Sequence, residues 1–166
     1  PERLAQPPGA ENFAYNGSLE ALAVQSGFAW VGVEYPSLDG THTVIRYDLA
    51  RPDEKPGVYA IRLTPGFGLV AFAELGEGGL IAVERFFARG IGNRIRISRI
   101  SEAAIIAPVG QGEVEWLALM TPDMTVDNME GAAVVTREGR QRLFLISDDN
   151  YSTRQRTLLM SFDLPE

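Results

Sequence analysis

Most of the chain consists of short segments in which hydrophobic and polar residues alternate, separated by turns rich in glycine, proline and aspartate. Alternation with a period of two, over segments too short for helices, predicts β-strands. The first four predicted strands span residues 19–24, 28–35, 42–49 and 58–63. None of these segments has the 3.6-residue hydrophobic period of a helix, so the pattern predicts an all-β fold.

The same order of segments begins again at Leu69 and at Met129, at steps of 50 and 60 residues from Leu19. The second unit contains strands at 69–75, 78–86 and 93–101 with a fourth at either 103–106 or 114–120, and the third contains strands at 129–135, 142–149 and 156–164. A period of this length with four strands per unit is typical of β-propeller blades. A β-sandwich is the alternative, but it does not require an acidic residue to recur at the end of each second strand.

The predicted fold class is therefore a partial β-propeller of about three blades, each with four antiparallel strands. The predicted blade ranges are 19–64, 65–121 and 122–166. Three blades do not close a ring, and open sheet faces favour association. We expect a second copy of the chain, or the missing half of a longer chain, to complete the ring. Residues 1–18 are expected to be a linker or a strand donated across that interface.

The net charge of −7 argues against a nucleic-acid partner, which favours a basic surface, and leaves cations as candidate ligands. The chain has no cysteine, which excludes disulfides and thiolate sites, and no apolar run long enough to span a membrane. The single histidine, His42, begins a strand that we expect at the surface. This position argues against a Ser-His-Asp triad.

Five acidic residues are predicted at equivalent places in the blades. Glu20 and Glu130 follow the first residue of the first strand, and Glu34, Glu84 and Asp148 end the second strand. The first strand of a blade lines the central channel, so these carboxylates are expected to converge and to repel one another unless a cation lies among them. Oxygen ligands without cysteine and with little histidine favour Ca²⁺ or Mg²⁺ over Zn²⁺, and Ca²⁺ is the cofactor that we expect. In the alternative, the acids bond backbone amides or arginines and hold neighbouring blades together.

Four further residues are candidate ligand-binding groups. Arg85 and Arg46 are expected to contact an anionic small molecule held near the cation. Asp149 and Asn150 follow Asp148 in the sequence Ser-Asp-Asp-Asn, which either binds a cation or forms an Asx turn. The turn is favoured for Asp149 and Asn150, and the site for Asp148.

Residues 127–164 resemble the C-terminal end of the phytase-like (esterase-like activity of phytase) β-propeller family, which closes on N-x-E-G-L-A, a long hairpin, and S-D-D/N-N-x-x-x-x-Q-x-T-x-L-L-x-F-x-L. The matching residues are Asn128, Glu130, Gly131, Ser147, Asp148, Asp149, Asn150, Gln155, Thr157, Leu158, Leu159, Phe162 and Leu164. Residues 16–21 resemble the family's N-x-G-I/L-E-A-L-A strand. Glu84, Arg85 and Phe87 resemble its L-x-x-L-E-R-x-F segment. The chain corresponds to about the second half of a usual member.

The resemblance implies hydrolysis of phosphoesters or other esters. Combined with the repeated acidic residues, it predicts a metal-assisted hydrolase with its site at the mouth of the channel. It also implies a periplasmic or secreted location. One departure is Val70, which stands where the other blades carry Glu20 and Glu130. The alternative function is a non-catalytic propeller that binds a ligand or a protein.

Overall fold

The structure is a computed structural model that describes residues 3–35, 39–76 and 78–165. These residues form eleven β-strands, a 3₁₀ helix at Ala10–Asn12 and one short α-helix, α1, at Glu102–Ile106. The strands are β1 (Leu19–Gln25), β2 (Phe28–Val33), β3 (Thr41–Asp48), β4 (Gly57–Arg62), β5 (Gly68–Glu74), β6 (Gly79–Ala88), β7 (Gly92–Ser101), β8 (Val114–Met120), β9 (Met129–Arg137), β10 (Arg140–Ser147) and β11 (Leu159–Asp163).

The strands form three antiparallel sheets in chain order. The first is β1-β2-β3-β4, the second is β5-β6-β7-β8 and the third is β11-β10-β9. The first strands of the sheets lie side by side, because β5 contacts both β1 and β9. This is the arrangement of propeller blades around an axis, so the predicted all-β fold of partial propeller blades is confirmed.

Two apolar layers hold the blades together. One lies between the first and second sheets and includes Trp30, Leu69 and Phe72, and the other lies between the second and third sheets and includes Met129 and Leu143. The second sheet is therefore covered on both faces. Its first strand, β5, is correspondingly a continuous apolar run with six consecutive buried residues rather than an alternating one.

The fourth strand of the second blade is β8, not the alternative at 103–106, which forms α1. Ser101 begins this helix, and its hydroxyl accepts a hydrogen bond from the Ala104 N–H at 3.0 Å. The last strand, β11, begins only at Leu159. It starts later than predicted because the Leu158 N–H donates to the Ser147 hydroxyl instead of to a strand neighbour.

Residues 3–18 form no strand. The Ala5 N–H donates to the Pro52 carbonyl, and Phe13 packs on the face of the first sheet turned away from the second, against Ala29 and Ile45. This segment therefore covers part of its own first blade. Donation of a strand by residues 1–18 to another copy stays a prediction.

Candidate functional site

A β-bulge occurs at the same place in the first strand of each blade. The pairing skips one residue between Leu19 and Ala21, between Leu69 and Ala71, and between Met129 and Gly131. The skipped residues are Glu20, Val70 and Glu130, the three that the sequence aligns. A bulge bends its strand and changes the direction of the extra side chain. The side chains at these three positions therefore do not follow the alternation between the two faces of the sheet.

The second strands correct one part of the predicted alignment. The pairs next to the bulges are Leu19–Val33, Leu69–Glu84 and Met129–Ser147. The residues that directly follow Val33, Glu84 and Ser147 are Glu34, Arg85 and Asp148, respectively. Arg85, not Glu84, is therefore the equivalent of Glu34 and Asp148. The sequence alignment is wrong by one residue because eleven residues separate Ala71 from its partner Val83, whereas ten separate Ala21 from its partner Gly32.

Arg85 connects all three blades. Its Nη1 lies 2.5 Å from Glu130 Oε1, and its Nη2 lies 3.2 Å from Glu34 Oε1. The side chains of Glu34 and Arg85 are 7% and 19% exposed, and that of Glu130 is 31% exposed. An arginine thus occupies the place between two carboxylates where a cation was expected. We call Glu34, Arg85 and Glu130 the mouth cluster.

The charges in the mouth cluster are not balanced. Burial raises the pKa of Glu34, the guanidinium of Arg85 opposes this rise, and the exposed Glu20 and half-buried Glu130 add to it by repulsion. Burial also raises the pKa of the adjacent Tyr35, and the negative charge of Glu34 adds to that rise. The Arg85 guanidinium therefore pairs with two carboxylates, and Glu20 adds a third negative charge that acts on Glu34.

Glu84 has a different role from the mouth cluster. It is fully buried, and both of its oxygens accept hydrogen bonds from Thr64, from the N–H at 2.7 Å and from the hydroxyl at 3.1 Å. Burial raises the pKa of Glu84 to about 7. Because Thr64 lies between β4 and β5, the contact attaches the second blade to the end of the first. This is the blade-holding alternative predicted for the acids.

The Ser-Asp-Asp-Asn segment forms consecutive Asx turns. Asp148 is exposed, and its Oδ1 accepts from the Asn150 N–H at 3.0 Å. Asp149 accepts from the Tyr151 N–H at 2.9 Å and from the Thr157 hydroxyl at 3.1 Å. These bonds account for the left-handed φ angles of 50° at Asn150 and 54° at Tyr151.

The five predicted metal ligands are not assembled at one point. No group of three or more acidic or histidine residues is placed to hold a metal ion in the described part of the chain. Glu34 and Glu130 bind Arg85, Glu84 binds Thr64, and Asp148 forms a turn. Calcium binding by these residues stays a prediction.

Arg46 and His42 lie in settings that the sequence did not predict. The Arg46 guanidinium lies 4.6 Å from the ring centroid of Phe28 and 5.6 Å from those of Trp30 and Tyr59. It pairs with Trp30, four residues before Glu34, and is therefore roughly 13 Å along the strand from the mouth cluster. The expected surface position of His42 is wrong, because it is 1% exposed and its pKa is lowered by burial.

An open cleft of about 720 Å³ lies beside the mouth cluster, between the second and third blades. Arg85 forms part of its wall. Polar residues of the third blade also line it, among them Asp127, Asn128, Asn150, Arg154, Gln155 and Arg156. Arg154 and Arg156 were not predicted from the sequence as binding residues. The signal was present in the arginines that flank Gln155 directly after the Asx turns.

A sequence model of the phytase-like family, described as esterase-like activity of phytase, matches residues 1–151. The chain belongs to the phytase-like family. The mouth cluster and Asn128 lie inside the matched range, whereas Arg154 and Arg156 of this phytase-like chain lie beyond it. The comparison with curated proteins gave no match. None of the helices that the structure describes has the length and apolarity needed to cross a membrane.

Proposed function

We propose that this phytase-like chain is part of a propeller that hydrolyses phosphoesters or related anionic esters, with its reacting groups at the mouth cluster. The family supports an ester substrate. The observation that carries the proposal is the position of Arg85, which lines a cleft of ligand size while two carboxylates hold its guanidinium in place. A fixed guanidinium beside an accessible cleft is suited to bind an oxyanion.

The three residues of the mouth cluster take different roles in this proposal. Arg85 binds the anionic group of the ester and stabilises the charge that develops during hydrolysis. Glu34, the more buried carboxylate, orients Arg85. Glu130 is more exposed and bonds Arg85 through one oxygen. Its second oxygen has no hydrogen-bond partner within the described residues and can accept a proton from water.

Calcium and location complete the proposal, and both rest on the sequence pattern and the family resemblance. The roles given above to Glu34, Arg85 and Glu130 do not require a metal ion. Hydrolysis is therefore measured with calcium and with a chelator, and thermal melting with and without calcium tests binding separately. The periplasmic or secreted location is tested by fractionating cells that express the protein from its own gene.

The decisive experiment measures release of p-nitrophenol from p-nitrophenyl phosphate and p-nitrophenyl acetate. We expect Arg85→Gln to lower kcat/KM for the phosphate ester by about 100-fold, since one oxyanion donor has about that effect. Arg142→Gln is the matched control, because Arg142 is an exposed arginine paired with Asp163 at 2.8 Å on the third blade. Absence of turnover of both esters by the wild-type protein, with and without calcium, would refute the hydrolase.

The second candidate function is a non-catalytic binding propeller in which the acids hold the blades together. Two contacts support it, the Glu34–Arg85–Glu130 cluster that spans three blades and the Glu84–Thr64 bonds. In that case Arg85→Gln lowers the melting temperature while the wild-type protein shows no ester turnover. Completion of the ring, by a second copy or by the other half of a longer chain, belongs to both candidates and is measured by sedimentation equilibrium.

A further inference from the structure

We propose that the cleft beside Arg85 binds a phosphate group, and that the side chains of Arg154, Arg156 and Asn128 hold it together with Arg85. The inference deepens the proposed function, on which it rests for the ester substrate, by placing the anion of that substrate. It is tested by binding rather than by turnover, so it can fail or hold independently of hydrolysis.

The cleft is positively charged although the chain as a whole is not. The protein has a net charge of −7, yet the ionisable groups that line the cleft are three arginines and one acid, Asp127. Asp127 is buried and accepts from the backbone N–H groups of Asn128 at 2.9 Å and Arg156 at 3.0 Å. The two backbone N–H groups thus stabilise the negative charge of Asp127. The Arg156 Nε lies 3.8 Å from Asp127 Oδ2. The Arg154 guanidinium has no partner in the part of the chain that the structure describes.

Asn128 adds a side-chain amide to the lining of the cleft. It is 5% exposed and lines the cleft, and its side-chain amide has no hydrogen-bond partner among residues 3–35, 39–76 and 78–165. The amide atoms of Asn128 are not sealed from solvent, so they can bond a ligand that enters the cleft.

The backbone that carries the two arginines is held in place before any ligand binds. The Ser147 hydroxyl donates to the Arg156 carbonyl at 2.6 Å and accepts from the Leu158 N–H at 2.8 Å. On the other side of the segment, the Asn150 amide donates to Gln155 Oε1 at 3.3 Å. The arginines therefore extend from a fixed turn, which lowers the ordering cost of binding.

The donors in the cleft indicate the class of ligand. Guanidinium groups donate hydrogen bonds and accept none. Several guanidinium groups and an amide N–H together offer more donors than the two coplanar oxygens of a carboxylate can accept. A phosphate group has three or four acceptor oxygens arranged in a tetrahedron. Its charge also matches two arginines, so we expect phosphate to bind more tightly than acetate.

The test is isothermal titration of the protein with inorganic phosphate at about 50 mM salt. We expect saturable binding by the wild-type protein and a rise in Kd of at least about tenfold in the double variant Arg154→Gln/Arg156→Gln. Both arginines are exposed, so these changes leave the fold intact. Arg142→Gln, an exposed arginine of the same blade outside the cleft, should leave Kd unchanged within about twofold.

Asn128→Leu tests the buried amide. We expect it to weaken phosphate binding while far-ultraviolet circular dichroism shows an unchanged fold, and the double arginine variant decides the matter if Asn128→Leu unfolds. Acetate should give a Kd at least about tenfold higher than phosphate. Phosphate that does not bind the wild-type protein, or binds the double variant equally well, overturns the proposal. Phosphate binding without ester turnover supports this site and rejects only the hydrolase.

Discussion

The substitution Glu84→Gln tests whether a buried carboxyl makes the stability of the protein depend on pH near neutrality. Glu84 is fully buried and accepts two hydrogen bonds from Thr64. Glutamine has the same shape and no charge. Its Oε1 can accept from the Thr64 N–H while its Nε2 donates to the Thr64 hydroxyl, so the substitution removes the titration and retains the contact.

The magnitude follows from the pKa of Glu84, which is raised from 4.5 to about 7 in the folded protein. Between these two pH values the folded state retains a proton that the unfolded state releases. Stability is therefore highest at low pH and falls as the pH rises towards 7. At 1.36 kcal/mol per pH unit, the fall attributable to Glu84 is about 3 kcal/mol.

The assay is urea unfolding of wild-type and Glu84→Gln proteins at a series of pH values from about 4.5 to 8. The free energy of unfolding of the variant, minus that of the wild type, should rise by about 3 kcal/mol in favour of the variant across this range. Other titrating groups cancel in the difference. Glu138→Gln, at an 85% exposed position, is the control for the loss of one surface carboxylate. A flat difference for Glu84→Gln would refute the reasoning.

Three further predictions follow from the same contacts. Thr64→Val removes the hydroxyl that stabilises ionised Glu84, so the pKa of Glu84 should rise further, as measured by NMR titration of its carboxyl carbon. Arg85→Gln leaves the buried Glu34 unpaired and should lower the free energy of unfolding by about 2–3 kcal/mol in urea titrations, with no loss contradicting the contact. Gly68→Ala places a Cβ 2.7 Å from Glu34 Cγ and should cost about 1–3 kcal/mol, measured as a lower melting temperature.

The sequence predicts the strands and their grouping into blades because both depend on local patterns. The alternation of apolar residues marks each strand, and the restarts at Leu69 and Met129 mark the later blades. Burial is harder to predict, because a sheet packed between two others has no solvent face. His42, on β3 of the first sheet, was assigned to the surface because it begins its strand, but the protein buries it with its Nδ1 3.3 Å from the Val33 carbonyl oxygen.

The site is less predictable because it depends on register. The β5–β6 hairpin has one residue more than the β1–β2 hairpin. As a result, the position equivalent to Glu34 holds Arg85, a cation, and not Glu84, which was predicted as a metal ligand. Counting along the chain cannot detect such a shift when the turn lacks a distinctive sequence. The cleft was missed for another reason, since its walls come from turns whose path is fixed by side-chain bonds such as those of Asp127 and Ser147.

The bulges at Glu20, Val70 and Glu130 place side chains with different surroundings at the same backbone position in each blade. A bulged residue is outside the ladder, so its side chain can change without altering the pairing of its strand. The same backbone feature here carries an exposed acid, a buried valine and an acid bound to arginine. The blades are alike in backbone, but the mouth they form has distinguishable sides. In the mouth cluster the arginine of the second blade lies between acids of the first and third blades, so the charge there is not repeated from blade to blade.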